Sequence, residues 1–582
     1  MKAWLPALLV CLAACGRTPA KVGEPVDAGE PADVDAGPEP ITKSDKLDVL
    51  FVIDNTLTAH PAHETLARTI PYFLDRLVNP RCANGLGQIV DEPGPNQPCA
   101  VGVRDFAPVA DLHVGIVSSS IGGHGADTCS PAAMNFTSQQ NDSANLLSRN
   151  DAGGVVPTYE GLGFLAWDPE QQYSPPGDSD LQGFAAKLQE MIGGVGNQGC
   201  GFEAHLESFY RFLIEPNPYD QIVVEGGEAS LVGTDKTLLE QRAAFLRPDS
   251  VLLIVVLADE DDCSTRDGGV NWLSMQTLQN GAPYHLPRPR DECAIDPEDE
   301  CCASCGQNPP PAGCPASPSC QLGSLTAEED PTPLRCFDQK RRFGLDFLYP
   351  VERYVDGLNE PEIADRDGEI VQNPLFVEGR TQRLVLLAGI VGVPWQDIAN
   401  APTNLAAGFV PGPDVVWERV LGTHNDPPED PLMVPSLAPR GGAHPVTGDP
   451  LAPPNATSPQ ANPINGHEHQ VPNELQYACI YRLETPRVCV DATCECTTPP
   501  EFNTNPICQE DGGAYTTTQR FGRATPATRA LRVIQSLGPQ GTVASLCTEP
   551  VFSTNEPAFG YKPAVDALIR ALRGRLVSFE DQ

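Results

Sequence analysis

The stretch Leu47-Asp-Val-Leu-Phe-Val-Ile-Asp54-Asn-Thr56-Leu-Thr58 decides the fold of this chain. It opens with an almost unbroken apolar run, which is typical of a strand buried on both faces, as in a parallel sheet. The run stops at Asp54, and two threonines follow at alternate positions. Open α/β sheets bind their ligands at the carboxyl ends of their strands, so the motif predicts a binding site there. Carboxylate and hydroxyl oxygens suit a hard divalent cation such as Mg²⁺.

The rest of the chain alternates between strand-like and helix-like patterns. Apolar runs predict further strands at residues 112–118, 161–167, 251–257, 383–390 and 542–546, with 161–167 as an edge strand beside 112–118. Helical spacing of apolar residues predicts helices at residues 60–77, 181–192, 203–213, 527–537 and 561–576. Pro71 should kink or split the first helix. This alternation predicts an α/β fold with a mostly parallel central sheet and helices on both faces.

Two long stretches interrupt the predicted domain, which spans residues 47–582. Residues 264–380 (the first insertion) and 393–523 (the second insertion) are rich in Pro, and both contain cysteine clusters. Loops this long in a compact domain are usually functional or separately stabilised. We expect disulfides to staple them. The sequence is compatible with insertions that bind a ligand and with insertions that only cover the sheet edges.

The cysteine content of the chain is typical of an exported protein. Of the 20 cysteines, those that follow Cys15 are even in number, and disulfides are the expected chemistry in an exported chain. Zinc is the alternative, because Cys293–Cys305 and Cys489–Cys496 are crowded segments. Their spacing does not form a pair of Cys-x₂-Cys knuckles, and this favours disulfides.

The N-terminus reads as an export signal followed by a tether. Met1-Lys2 and a mostly apolar run to Ala14 predict a signal peptide at residues 1–14. Leu12-Ala-Ala-Cys15 resembles the bacterial lipobox, and the resemblance implies lipidation of Cys15. An ordinary signal peptide with a coincidental cysteine is the alternative. Residues 15–46 are rich in Pro, Ala and acidic residues, which predicts a disordered tether. With the lipid on Cys15, this tether would anchor the protein in the bacterial cell envelope, at the outer membrane and on its periplasmic or surface face.

Charge and hydropathy limit the classes of partner. The net charge of −39 argues against binding to nucleic acid or to an anionic lipid surface. The segment after Cys15 contains no apolar run near the roughly 20 residues that a membrane helix needs. We therefore expect membrane attachment through the lipid anchor only.

The opening motif resembles the first loop of a von Willebrand factor type A domain. That family uses Asp-x-Ser-x-Ser after its first strand in a metal-ion-dependent adhesion site, and Asp54-x-Thr56-x-Thr58 keeps the hydroxyls. Asp259, after the strand 251–257, matches the aspartate of the family's third loop. The resemblance implies a site for Mg²⁺, or else Mn²⁺ or Ca²⁺, at Asp54, Thr56, Thr58 and Asp259. The alternative is that Asp54 and Thr56 cap the helix that begins near Pro61.

Two features bear on that metal site. The family's second loop supplies a threonine, but residues 196–201 contain none, so Asn197, Gln198 or a water would have to take its place. The acidic run from Asp259 to Asp262 would crowd like charges that a divalent cation could relieve. The alternative is that Glu260 and Asp261 point into water while Asp259 caps a turn.

The chain lacks the familiar catalytic patterns. His60-x-x-His63-Glu64 and His467-Glu-His469 do not match a zinc-protease motif, and Gly-x-Ser-x-Gly is absent. We therefore expect a lipoprotein without enzymatic activity that binds an envelope or extracellular protein or glycan, an adhesion-like role assisted by the metal. A metal-free scaffold whose disulfide-rich insertions make the contacts is the alternative. A hydrolase with an unrecognised site is a third hypothesis.

Overall fold

The computed structural model of this chain describes residues 40–84, 89–94, 97–307, 309–490 and 494–579. The predicted signal peptide, Cys15 and most of the tether lie outside these residues, so lipidation stays a prediction. Ile41 and Ser44, at the end of the predicted tether, form β-bridges to Arg380 and Leu576. Within the described ranges, no helix has the length and apolarity to cross a membrane.

The elements follow the predicted alternation, with additions. In the described part of the chain, the strands of at least four residues are β1 (Lys46–Ile53), β2 (Asp111–Ser118), β3 (Phe164–Trp167), β4 (Gln221–Glu225), β5 (Glu228–Val232), β6 (Val251–Leu257), β7 (Val385–Val391), β8 (Cys479–Val488), β9 (Thr518–Ala524) and β10 (Gly541–Ser545). The longer helices are α1 (His60–Val78), α2 (Leu181–Gly194), α3 (His205–Leu213), α4 (Lys236–Phe245), α5 (Val351–Asn359), α6 (Thr528–Leu537) and α7 (Lys562–Leu572).

Several shorter elements decorate the loops. Short strands span Cys82–Ala83, Ile89–Asp91, Val103–Arg104, Leu278–Gln279, Ala282–Pro283, Glu362–Ala364 and Ile370–Gln372. Short α-helices span Glu292–Ile295, Gln339–Phe343, Trp395–Ile398 and Trp417–Leu421. The hairpin of β4 and β5 and the helix α4 have no counterpart in the sequence prediction.

The centre of the fold is a six-stranded sheet in the order β10-β7-β6-β1-β2-β3. All neighbours are parallel except β2 and β3, which pair antiparallel at one edge. Every residue of β6 and β7 is buried, as their unbroken apolar runs require. The α/β class, the mostly parallel sheet and the edge strand are therefore confirmed.

The helices form two packed groups. Helix α1 packs against α2 and α7, whereas α3 packs against α4 and α5, and α5 against α6. Members of both groups also contact sheet strands: α7 contacts β10, and α3 contacts β1. This packing accords with helices on both faces of the sheet.

The order of the strands reverses between β1 and β6. From β1 the chain runs through β2 to β3 in one direction, and from β6 through β7 to β10 in the other. In an open α/β sheet this reversal leaves a crevice at the carboxyl ends of the two strands, and ligands bind there. Asp54 follows β1 and Asp259 follows β6, so both predicted residues lie at that crevice.

Helix α1 runs unbroken through Pro71, so of the predicted kink or split the split is wrong. Proline has no N–H, and this leaves the carbonyl of Ala67 without its usual helical partner. The side-chain amide of Gln189, on α2, donates to that carbonyl over 2.7 Å. The neighbouring helix therefore supplies the hydrogen bond that Pro71 cannot make.

Disulfides account for every cysteine that follows Cys15, which confirms that prediction over zinc. The first insertion contains three bonds of its own, and Cys263–Cys336 joins it to the loop after β6. The second insertion contains two, and Cys479–Cys547 joins it to the end of β10. The remaining bonds are Cys82–Cys99 and Cys129–Cys200.

The second insertion is more ordered than its sequence suggested. Its strands β8 and β9 pair antiparallel, with an irregularity between Arg482 and Arg487. It also covers the edge strand β10, all of whose residues are buried. A Cβ built on Gly412, in this insertion, would come 2.3 Å from the carbonyl oxygen of Gly541, the first residue of β10.

Candidate functional site

The carboxyl ends of β1 and β6 lie side by side. Ile53 and Leu257 are register partners, and the backbone N–H of Asp54 donates to the Leu257 carbonyl over 2.9 Å. Asp54 and Asp259 follow these strands and are both fully buried. The fold thus brings them to one edge of the sheet.

The three polar residues of the opening motif are hydrogen-bonded to one another. Asp54 Oδ1 accepts from the backbone N–H and the hydroxyl of Thr56, over 2.9 and 2.8 Å. The Thr56 hydroxyl lies 3.1 Å from that of Thr58, which must be the donor because the Thr56 proton goes to Asp54. Helix α1 has Ala59 at its N-cap and no side-chain cap. The alternative that Asp54 and Thr56 cap this helix is therefore wrong.

His205, at the start of α3, holds the second oxygen of Asp54. Its Nε2 lies 3.3 Å from Asp54 Oδ2. Burial alone would lower the pKa of His205, but the hydrogen bond to Asp54 and its negative charge outweigh burial and raise it. Burial likewise opposes ionisation of Asp54, and His205 more than compensates, so the pKa of Asp54 is lowered. The two residues form a buried ion pair.

The predicted second loop lies beside the first. The N–H of Gly199 donates to the Asn55 carbonyl over 2.8 Å, and a Cβ on Gly199 would come 2.7 Å from that oxygen. The backbone N–H groups of Asn197 and Gln198 both point to the side-chain oxygen of Gln139. From the region that follows this loop, His205 is the side chain that reaches Asp54. The helical pattern of residues 203–213 gave no signal for this contact.

A buried arginine lies among the carboxyl groups beside the loop that follows β6. Arg523 Nη1, on β9, lies 3.2 Å from Asp259 Oδ2, and its Nη2 lies 2.6 Å from Glu260. Its Nε is 3.2 Å from Glu474 and 2.9 Å from Glu495. Asp259 Oδ1 is buried and has no hydrogen-bond partner among the described residues. Sequence reasoning missed Arg523 because it lies in the second insertion, far along the chain from Asp259.

The other acidic residues of this loop also have partners. Asp261 accepts from the Thr528 hydroxyl over 2.6 Å and from the N–H of Arg529 over 2.9 Å, at the start of α6. Asp262 accepts from the N–H of Leu206 over 3.0 Å, at the start of α3. The expected alternative that Asp261 points into water is therefore wrong. These carboxylates fix the two helices to the sheet edge.

A cleft of about 890 Å³ opens at this edge, between the two insertions. The first insertion contributes Phe337 and Asp346, among others, and the second contributes Val471 and Pro472. Its volume lies in the range of small-ligand sites, roughly 300–1,000 Å³. The charged side chains that line it are Glu203, Glu260, Asp261, Asp262, Asp338, Asp346, Glu474, Glu495, Lys340, Arg523, Arg529 and Arg532. Carboxyl groups therefore outnumber basic groups two to one.

The contacts of this region show no salt bridge and no hydrogen bond to another side chain for the carboxyl group of Glu203. Glu203 lines the cleft, although it is only 6 % exposed. Burial raises the pKa of Glu203 well above its usual range, and the charges of Glu260 and Asp54 raise it further. Glu203 thus favours its protonated form, and a cation that entered the cleft would favour its ionisation.

The comparisons with known proteins do not assign a function to this site. Comparisons with protein-family models, curated proteins and solved structures found no match. The α/β fold with its mostly parallel sheet is observed directly, whereas the type A-like identity rests on the resemblance of residues 47–58 and of Asp259. The function has to be inferred from the side chains at the sheet edge.

The predicted metal residues are arranged in a way that does not suit a divalent cation. Both oxygens of Asp54 already accept hydrogen bonds, and one oxygen of Asp259 contacts Arg523. Of the oxygens in this predicted set, Asp259 Oδ1 is the buried one without a hydrogen-bond partner among the described residues. A divalent cation here would also lie near the His205 and Arg523 cations, which would repel it. The Mg²⁺ site therefore stays a prediction that these contacts weigh against.

One other group has spacing that would admit a metal ion. In the ranges that the structure describes, Asp397, Asp430 and His444 are the three side chains of ligating type whose atoms lie within 4.8 Å of one another. All three belong to the second insertion and are buried. None was singled out from the sequence, because they come from three separate loop segments.

Proposed function

We propose that this chain is a lipid-anchored binding protein of the bacterial cell envelope, not an enzyme, and that its cleft takes a basic segment of a partner polypeptide. The observation that carries the proposal is the acidic lining of the cleft, at the point where the strand order reverses. Ligands of open α/β sheets bind at this point. A cationic side chain would be attracted by the excess of carboxyl groups and would let Glu203 ionise.

The apolar part of the lining supports a polypeptide partner. Between the acidic residues, the cleft presents Pro333, Leu334, Phe337, Leu348, Val351, Pro435, Val471, Pro472, Leu475 and Pro526. A segment with alternating basic and apolar side chains would satisfy both kinds of surface. A neutral glycan would use the acidic groups only as hydrogen-bond acceptors and would gain little from their charge.

In this proposal the protein has a type A-like sheet but does not need a metal ion to bind its partner. The Asp-x-Thr-x-Thr motif after β1 and the aspartate after β6 support the type A-like assignment. His205 and Arg523 supply positive charge at Asp54 and Asp259, where the family would use a cation. The disulfide-stapled insertions then make the contacts, as in the second hypothesis from the sequence.

The test uses two labelled peptides of equal length, one alternating Lys with Leu and one alternating Glu with Leu. Fluorescence anisotropy should show binding of the basic peptide only. The double variant D338N/D346N removes two exposed charges of the cleft rim. It should weaken binding roughly two- to thirtyfold, since exposed charge pairs contribute about 0.2–1 kcal/mol each.

The matched control is E190Q, which removes an exposed carboxylate of α2 that does not line the cleft. Its affinity should equal that of the wild type. Equal weakening per removed charge in E190Q and in the rim variant would mean that the peptide only senses the net charge of −39. Binding that ignores Asp338 and Asp346 would favour a neutral ligand such as a glycan.

The effect of divalent cations on the unfolding temperature is a separate test. We expect the unfolding temperature to be the same with millimolar Mg²⁺, Mn²⁺ or Ca²⁺ and with EDTA. If a cation at 100-fold its Kd bound the native state, stability would rise by about 2.7 kcal/mol. A rise that Asp54→Ala abolishes would restore the metal-assisted hypothesis.

A further inference from the structure

Four buried polar atoms converge in the second insertion without hydrogen-bond partners. They are both oxygens of Asp397, Oδ2 of Asp430 and Nε2 of His444. His444 Nε2 lies 3.3 Å from Asp397 Oδ1 and 3.7 Å from Asp430 Oδ2. A buried polar atom without a hydrogen-bond partner destabilises the folded state, so four at one point indicate that something other than a protein heavy atom joins them.

The hydrogen bonds of His444 argue against a metal ion there. Its Nδ1 accepts from the backbone N–H groups of Val446 and Thr447, over 3.3 and 3.1 Å. A ring nitrogen that accepts a hydrogen bond carries no proton, so the proton of the neutral imidazole is on Nε2. A histidine that binds a metal through Nε2 has the opposite tautomer and donates from Nδ1. His444 therefore points an N–H group, not a lone pair, at the two carboxyls.

A single proton satisfies the remaining atoms. Asp430 Oδ1 already accepts from the N–H of Leu432 over 3.0 Å, which leaves Oδ2 to carry a proton. If Asp430 donates that proton to Asp397, then Asp397 accepts from both Asp430 and His444. The positive charge that balances Asp397 comes from Arg419, whose Nε is 3.8 Å from Oδ1.

We propose that Asp397 and Asp430 share one proton beside His444, and that this proton holds three segments of the second insertion together. Asp397 lies in the helix Trp395–Ile398, Asp430 caps the turn Pro431–Met433, and His444 lies in the following loop. The groups that face the two carboxyls are Arg419 and His444. The proton comes from solvent and returns to it, so the device responds to pH.

The pKa of Asp430 agrees with this arrangement. Burial raises it first, and the charge of Asp397 and the hydrogen bond to it raise it further, to about 7. The folded chain then binds a proton that the unfolded chain, with a pKa near 3.8, releases. The stabilisation is complete below the unfolded value and is lost as the pH rises towards 7.

The test compares the unfolding temperatures of the full-length wild type and D430N at pH 5 and pH 8. The asparagine keeps the cap on Leu432 and offers an amide N–H in place of the shared proton. D430N should match the wild type at pH 5 and should unfold at a higher temperature than the wild type at pH 8. D430A, which loses the cap as well, should unfold at a lower temperature at both pH values.

Hydrogen exchange gives a second readout. At pH 8 the amides of residues 430–447 should exchange more slowly in D430N than in the wild type. Two outcomes would overturn the proposal. One is a D430N protein less stable than the wild type at pH 8. The other is an equivalent of bound divalent metal in the wild type that D430N lacks.

Discussion

The ion pair of Asp54 and His205 is buried at the sheet edge, so its contribution to stability depends on two protonation states. The pKa of Asp54 is lowered, and its contribution is lost as the pH falls below about 4. The pKa of His205 is raised, and its contribution is present below the unfolded value of 6.5 and is lost as the pH rises through the folded value. Both residues are charged near pH 6.

We expect His205→Gln to lower the free energy of unfolding by roughly 3–5 kcal/mol at pH 6, because it leaves a buried carboxylate without its cation. At pH 9 the loss should be smaller, since the wild-type imidazole is protonated to a smaller extent at the higher pH. Urea denaturation at both pH values measures the difference. His424→Gln, at an exposed position, is the control and should change neither value. An equal loss at both pH values would show that His205 acts only by packing.

Among the elements, α1 depends on a side chain of its neighbour. Gln189 donates to the Ala67 carbonyl that Pro71 leaves without a partner. We expect Gln189→Ala to cost about 1 kcal/mol, the usual value of one such hydrogen bond. In a Pro71→Ala background the residue at position 71 has an N–H for Ala67, and the same change should cost almost nothing.

Chemical denaturation of the four proteins in this double-mutant cycle gives the coupling free energy. A coupling near zero would mean that water, not Gln189, satisfies the Ala67 carbonyl in solution. The single variant Pro71→Ala is expected to be at least as stable as the wild type, because proline is the least favourable residue in a helix interior.

The elements that could be predicted from the sequence are those whose own residues show the apolar pattern of a buried strand or helix. The runs in β1 and β6 are apolar because both faces are covered, so Asp54 and Asp259 could be placed at one edge. Strand β8 could not be predicted in this way, because its second half is polar and exposed and its pairing shifts after Arg482. His205 and Arg523 were missed for a different reason. Their roles depend on contacts with residues distant in sequence, and no local pattern records these.

At the scale of the molecule, disulfides join the cleft walls to the sheet. Cys479–Cys547 closes a segment with a sequence separation of 68, and Cys489–Cys494 one of 5. In the chain-entropy description, removing the first bond should cost about 4 kcal/mol and removing the second about 2 kcal/mol. Denaturation of the paired Cys→Ser variants measures both. Equal losses would show that loop closure does not control the stability of the second insertion.

The cover that the second insertion places on β10 has a consequence for self-association. An open sheet exposes unpaired N–H and C=O groups along its last strand, and a strand from another molecule can pair with them. Gly412 and its neighbours lie against the start of β10 and bury it. A shortened chain without residues 393–523 would present a bare parallel edge, to which further copies could add in succession. By covering β10, the second insertion protects the chain from aggregation through this sheet edge.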